Sequence, residues 1–240
     1  RQATIRSSPN AAAGAVVTVP LASLTGAPAG SFVAALNVTA IGSQAGSLTV
    51  YRCGTTPPKL PSMGYLPGQI RNASVLVRTD ATGRACVRTT GGADVIVDLM
   101  GAFDAGADIH PFAARRLLDT RSSARVPANT TVRLPLVGVA GTPGVPALTA
   151  GVVGVTAVAP TANGNVVAFP CGSTPPPNAI VNYTANRGSA NAGIVGVGPG
   201  GALCVRSLAA THLVVDYAGW TGAGVTAFAP RRVLDTRVPG

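Results

Sequence analysis

The sequence predicts an all-β protein made of two tandem antiparallel β-sandwich domains, jelly-roll-like, each closed by one disulfide. Three observations carry that prediction. The first is a repeat: Phe112-Ala113-Ala114-Arg115-Arg116-Leu117-Leu118-Asp119-Thr120-Arg121 recurs as Phe228-Ala229-Pro230-Arg231-Arg232-Val233-Leu234-Asp235-Thr236-Arg237, about 116 residues further on. That period is far longer than a solenoid unit, so each copy is a domain. The second is composition. The chain has no Glu, Lys59 is its sole lysine, and there are 30 glycines and 20 prolines. Surface helices draw on Glu and Lys, whereas β-branched residues between Gly/Pro turns make short strands.

The third is cysteine placement. Cys53 and Cys86 are 33 residues apart, and so are Cys171 and Cys204, in matching contexts: Cys53-Gly54-Thr55 against Cys171-Gly172-Ser173, and Cys86-Val87-Arg88 against Cys204-Val205-Arg206. One identically placed pair per repeat reads as an internal staple formed in an oxidising, extracytoplasmic compartment. Two cysteines per domain with no neighbouring His are too few ligands for zinc.

The repeat sets the expected boundaries at 1–108, 109–224 and 225–240, the last being either the start of a third repeat or a donated strand. Residues 1–8 align with 116–123 but lack the Leu-Leu-Asp-Thr centre, so the chain reads as a processed or excised piece with an uncertain opening strand. Along the first repeat, strands are expected at 15–21, 31–41, 48–53, 73–78, 84–88 and 93–99. Their twins are at 130–136, 151–158, 166–171, 193–197, 202–206 and 212–217. Residues 32–40 are apolar on both parities, which predicts a strand covered on both faces. Prolines at 57–58 and 175–177 stiffen the loops that follow the first cysteines.

The closing segments Val97-Asp98-Leu99-Met100-Gly101 and Val215-Asp216-Tyr217-Ala218-Gly219 complete a set of motifs with the Arg-Leu-Leu-Asp-Thr-Arg and Cys-Gly-Thr segments. In that order they resemble the repeats of 115 to 120 residues found in secreted and surface proteins of actinobacteria. Those repeats are often strung in tandem or appended to hydrolases. The resemblance implies an extracellular accessory or structural module and no catalytic residues.

The remaining motifs are read against their plainer alternatives. Arg116, Asp119 and Arg121, with their copies Arg232, Asp235 and Arg237, predict a structural lock in which carboxylate and guanidinium satisfy each other. Asp98 and Asp216, each in an apolar strand, predict carboxylates that accept backbone or Arg hydrogen bonds. With eight Asp and no Glu there are few acids for a glycosidase pair. His110 and His212 are not equivalent in the two repeats, and no Gly-x-Ser-x-Gly elbow occurs. The glycines at 198, 200 and 201 precede a strand rather than a helix, so they form a turn and not a phosphate cradle. No metal or cofactor is implied.

The net charge of +10 allows an anionic cell-wall polymer or glycan as partner. Arginines spread singly or in pairs, with few aromatics between them, argue against nucleic acid. No run of about 18 apolar residues predicts a membrane span. Tyr65 and Tyr183 are the candidate sugar-stacking rings. The leading expectation is a non-enzymatic surface-assembly module, with neighbouring copies or adjacent repeats as partners and head-to-tail polymerisation through residues 228–237. The alternative is a carbohydrate-binding or cell-wall-binding module.

Overall fold

The computed structural model describes residues 4–6 (backbone only), 11–24, 27–104, 106–177 and 179–225. The chain divides into two compact units, Arg1–Arg115 and Arg116–Gly240. This division falls inside a strand, a few residues past the boundary that the repeat alone predicts.

The first unit contains β1 (Thr4–Arg6), β2 (Val16–Pro20), β3 (Val33–Gly42), β4 (Gly46–Arg52), β5 (Met63–Tyr65), β6 (Ile70–Arg78), β7 (Arg84–Thr89) and β8 (Ala93–Phe103). Strand β9 (Ile109–Asp119) spans the division, and the second unit, opening on its residues 116–119, continues with β10 (Thr131–Pro135), β11 (Ala150–Val158), β12 (Gly164–Pro170), β13 (Val181–Tyr183), β14 (Ser189–Gly196), β15 (Ala202–Ser207) and β16 (His212–Thr221). A three-residue 3-10 turn at Leu21–Ser23 is the one helical element among the described residues.

Strand order defines the architecture. The first unit has sheets β1-β8-β3-β6 and β2-β7-β4-β5, and the second has β9-β16-β11-β14 and β10-β15-β12-β13. Numbered within each unit, both are 1-8-3-6 over 2-7-4-5, the interleaved double Greek key of an eight-stranded jelly roll. Paired strands run antiparallel, and the shared strand order extends the duplication to every strand.

Each unit buries one apolar layer between its sheets. In the first it is built from Val19, Leu21, Phe32, Leu36, Val38, Leu48, Val87 and Val97. In the second, Leu134, Val153, Val155, Val166, Leu203, Val205, Leu213 and Tyr217 hold equivalent places. The expectation that residues 32–40 form a strand covered on both faces is corrected. Burial of β3 alternates strictly from Ala34 onward, because a jelly-roll sheet packs its core on one side only. The second parity looked apolar because it holds small residues such as Ala35, alongside Asn37 and Thr39.

The closing Val-Asp-x-x-Gly segments acquire a structural meaning. Pairing of β3 with β8 shifts between Ala35 and Leu36, leaving Met100 as the extra residue. Pairing of β11 with β16 shifts at the same place, leaving Ala218. Both segments encode a β-bulge, which bends and twists the strand locally.

Candidate functional site

The charged cluster of the second unit is assembled where its opening strand meets its closing strand. Arg116, on β9, donates from Nε to Asp216 on β16 at 2.5 Å and from Nη1 to Asp119. Arg121 donates to Asp119 from Nε at 2.9 Å, from Nη2 at 2.6 Å and from its backbone N–H at 3.1 Å. Hydrogen bonds from the Arg121 guanidinium and amide, together with the charges of Arg121 and Arg116, outweigh desolvation and hold the Asp119 carboxyl well below the usual carboxylate range. Arg116, Asp119 and Arg121 thus come together as the sequence predicts. Asp216 joins them across 100 residues of chain.

Thr120, between the charged residues, is nearly buried. Its hydroxyl accepts from the Leu213 N–H at 2.9 Å and its own N–H donates to the Leu213 carbonyl at 3.0 Å. No sequence expectation singles out Thr120, although its recurrence as Thr236 is a usable signal. Arg232, Asp235 and Arg237, the second copy of the cluster, lie outside the described residues.

In the first unit Asp98 sits at the position of Asp216. It accepts from Asn37 Nδ2 at 3.5 Å, while Asn72 Nδ2 donates to Asn37 Oδ1 at 3.4 Å. The apolar-strand aspartates therefore accept side-chain hydrogen bonds in both units, from an asparagine in one and an arginine in the other.

The disulfides Cys53–Cys86 and Cys171–Cys204 form as expected. Each joins neighbouring strands of one sheet rather than the two sheets. Cys86 on β7 lies opposite Tyr51 on β4, and Cys204 on β15 lies opposite Phe169 on β12. The rings pack on the sulfurs to form a small apolar cluster on the sheet face away from the core.

The sugar-stacking expectation for Tyr65 and Tyr183 is corrected. Both rings are buried, 3% and 6% exposed, so neither offers a face to a ligand. The Tyr65 hydroxyl donates to the Gly91 carbonyl at 2.7 Å, and burial raises its pKa. Tyr183 bonds Ser207 Oγ at 2.7 Å and accepts from the Ala209 N–H at 2.9 Å. An open groove of about 280 Å³ is lined by Asn182, the little-exposed Tyr183, Thr184, Arg187, Gly188 and Ser189. It falls short of the roughly 300–1,000 Å³ usual for a small-molecule pocket.

Asp80 is the structurally engaged acid that the sequence did not reveal. Its Oδ1 accepts from the Thr82 N–H, the Thr82 hydroxyl and the Arg84 N–H, and its Oδ2 from Arg84 Nε, all at 2.8 to 2.9 Å. Burial pushes this carboxyl up, but the hydrogen bonds from Arg84 and Thr82 prevail and hold it well below its ordinary value. Asp80 thereby fixes the turn between β6 and β7.

The histidines are likewise engaged in local structure. His110 Nε2 lies 3.0 Å from Asp108, and His212 Nδ1 lies 2.7 Å from the Thr120 carbonyl. Trp220 Nε1 donates to the Gly141 carbonyl at 3.0 Å. Among the described residues no group of three or more metal-ligating side chains occurs, and no helix is long and apolar enough to cross a membrane.

Fold and polar sites define the class: a tandem, disulfide-bonded, eight-stranded jelly roll whose charged residues hold strands and turns together. No protein-family model and no curated protein matches the chain. Among solved structures it is similar to the STIV MCP at 7% identity and a TM-score of 0.35, over 92% of this chain and 96% of that one. A chain from the atomic structure of Sulfolobus Turreted Icosahedral Virus gives 7% and 0.35, over 92% and 91%. Likenesses at this level add nothing to the strand order, which alone defines the class.

Proposed function

We propose that this chain is a non-enzymatic, extracellular structural module that assembles head to tail with neighbouring copies or repeats. The supporting observation is the fate of the segment that repeats. Residues 116–119 of the recurring segment lie in the part of β9 that belongs to the second unit, an edge strand next to β16, which closes that unit. Residues 232–235 carry nearly the same sequence and so the same capacity to pair with a closing strand. Such an exchange is a strand addition, in which main-chain hydrogen bonds supply affinity and alternate side chains supply register. Joining the tail of one copy to the head of the next is a heterologous contact, which builds filaments or arrays. Two disulfides fit an oxidising location outside the cytoplasm.

The test is deletion of residues 226–240, with assembly followed by light scattering and electron microscopy over a concentration series. Full-length protein is expected to form concentration-dependent linear species, and the deletion to remain monomeric. Identical assembly states for the two would refute the reading.

A further inference from the structure

Strand arginines occur in both sheets of each unit, but strand acids occur in only one. The acids found in strands, Asp94, Asp98, Asp119 and Asp216, all lie in the sheets β1-β8-β3-β6 and β9-β16-β11-β14. The other two sheets carry Arg52, Arg84, Arg88, Arg133 and Arg206 and no acid in any strand. In the first unit Asp80 offsets Arg84. In the second unit nothing acidic offsets Arg133 or Arg206 among the described residues.

The register places these two arginines on one face. Leu134, Leu203 and Val205 point into the core, so Arg133, Cys204 and Arg206, on the other parity, point away from it. Arg133 lies directly opposite Cys204, and Arg206 lies two residues beyond Cys204 on the same strand. Arg206 is held in place: Nε donates to the Asn129 carbonyl and Nη2 to Asn129 Oδ1, both at 3.1 Å, with Asn129 in the left-handed region at φ 58°. Arg133 is exposed and makes no ion pair or hydrogen bond from its guanidinium among the described residues. Two like charges at diagonal positions of neighbouring strands are unfavourable by themselves, and a bound anion relieves them.

The first unit provides an internal comparison. Arg88 occupies the position of Arg206, but Thr18 stands opposite Cys86 where the second unit has Arg133. Gly14, whose N–H bonds the Thr89 carbonyl as Asn129 bonds that of Ser207, replaces the asparagine.

We propose that the outward row of the edge strand β10, with Arg206 of β15 beside it, is a docking surface for an acidic polysaccharide, held by Arg133 and Arg206 next to Cys204 of the Cys171–Cys204 disulfide. The exposed row of Thr131, Arg133 and Pro135 along the edge strand β10 suits an extended polymer, because single exposed ion contacts are weak and become useful only when repeated. The aromatic ring of this face, Phe169, is 4% exposed, so bases of a nucleic acid find no ring there to stack on. The inference does not depend on assembly, since a monomer displays the same face.

The probe is polygalacturonate, titrated into the full chain by calorimetry at low ionic strength, with neutral dextran and oligodeoxythymidylate as comparisons. Saturable binding that weakens with added salt is expected for polygalacturonate alone. Arg133→Thr, which installs the residue found in the first unit, is expected to weaken it about 3-fold, and adding Arg206→Gln about 10-fold. Arg187→Gln removes the same charge from an exposed loop of the same unit and is expected to leave affinity unchanged. An equal loss in Arg187→Gln would reduce the effect to net charge and overturn the proposal, as would absence of saturation. Tighter binding of the oligonucleotide would overturn it in favour of nucleic acid. The deletion of residues 226–240 should bind as the full chain does, so this proposal and the assembly proposal fail separately.

Discussion

Replacing Tyr183 by Phe separates a structural tyrosine from a ligand-binding one, because it removes a single oxygen and leaves the ring. The Ser207 hydroxyl donates to the Ala209 carbonyl at 2.8 Å, so the Tyr183 hydroxyl must donate to Ser207 Oγ. The same oxygen accepts from the Ala209 N–H at 2.9 Å. Phe keeps the packing but leaves that buried N–H without its acceptor, which costs about 1–3 kcal/mol. Tyr65→Phe removes one bond to the Gly91 carbonyl and should cost only about 1 kcal/mol.

Differential scanning calorimetry resolves the comparison. A loss of about 2 kcal/mol in a domain of this size lowers Tm by roughly 6–12 °C, and the shift for Tyr183→Phe should exceed that for Tyr65→Phe. Neither variant should change binding to polygalacturonate. A Tyr183→Phe protein of unaltered stability that had lost glycan binding would refute the reasoning, since it would place the ring at the surface with its hydroxyl turned outward.

Two further outcomes follow from the same geometry. Replacing Cys171 and Cys204 together by Ser opens a loop of 33 residues and should destabilise the second unit by about 3–4 kcal/mol on the chain-entropy account, read as a lower denaturation midpoint with the first unit unaffected. Asp80 has a folded-state pKa below its unfolded value of about 3.9. Its contribution is therefore complete above roughly pH 5 and is lost as pH falls through about 4 towards the folded value. Asp80→Asn should lower stability at neutral pH and flatten the acid limb of a stability-versus-pH curve measured by urea denaturation.

Most of the strands were legible because short runs rich in β-branched and apolar residues stand between Gly/Pro/Asn turns, as in 73–78 and 84–88. The three-residue strands β5 and β13 were not. Met63-Gly64-Tyr65 and Val181-Asn182-Tyr183 are too short to show a period, and each follows a proline-rich loop that reads as irregular. The cysteines gave their pairing through duplicated context, but not the fact that they join strands of one sheet, which depends on partners far apart in sequence. Burial of Tyr65 and Tyr183 was invisible for a similar reason. A lone tyrosine beside a turn looks exposed until the opposing sheet supplies Gly91 or Ser207. Arg116, Asp119 and Arg121 announced themselves by repetition, whereas their link to Asp216 required the strand order.

That strand order also explains where the polar locks stand. In a jelly roll the first and last strands are neighbours, so the contact that closes each unit joins residues about 100 positions apart, here Arg116 and Asp216. Loop closure of that length carries a large entropic cost, and an edge strand held by one neighbour is the easiest to lose. The second unit reinforces this pairing with Arg116, Asp119, Arg121 and the buried Thr120, whereas the first has Thr4 opposite Asp98 and an asparagine ladder. The same weakness that calls for a lock is what the proposed head-to-tail assembly would use. On that proposal, the recurring segment 228–237 of another copy brings its own Arg-Asp-Arg latch, and the latch sets the register.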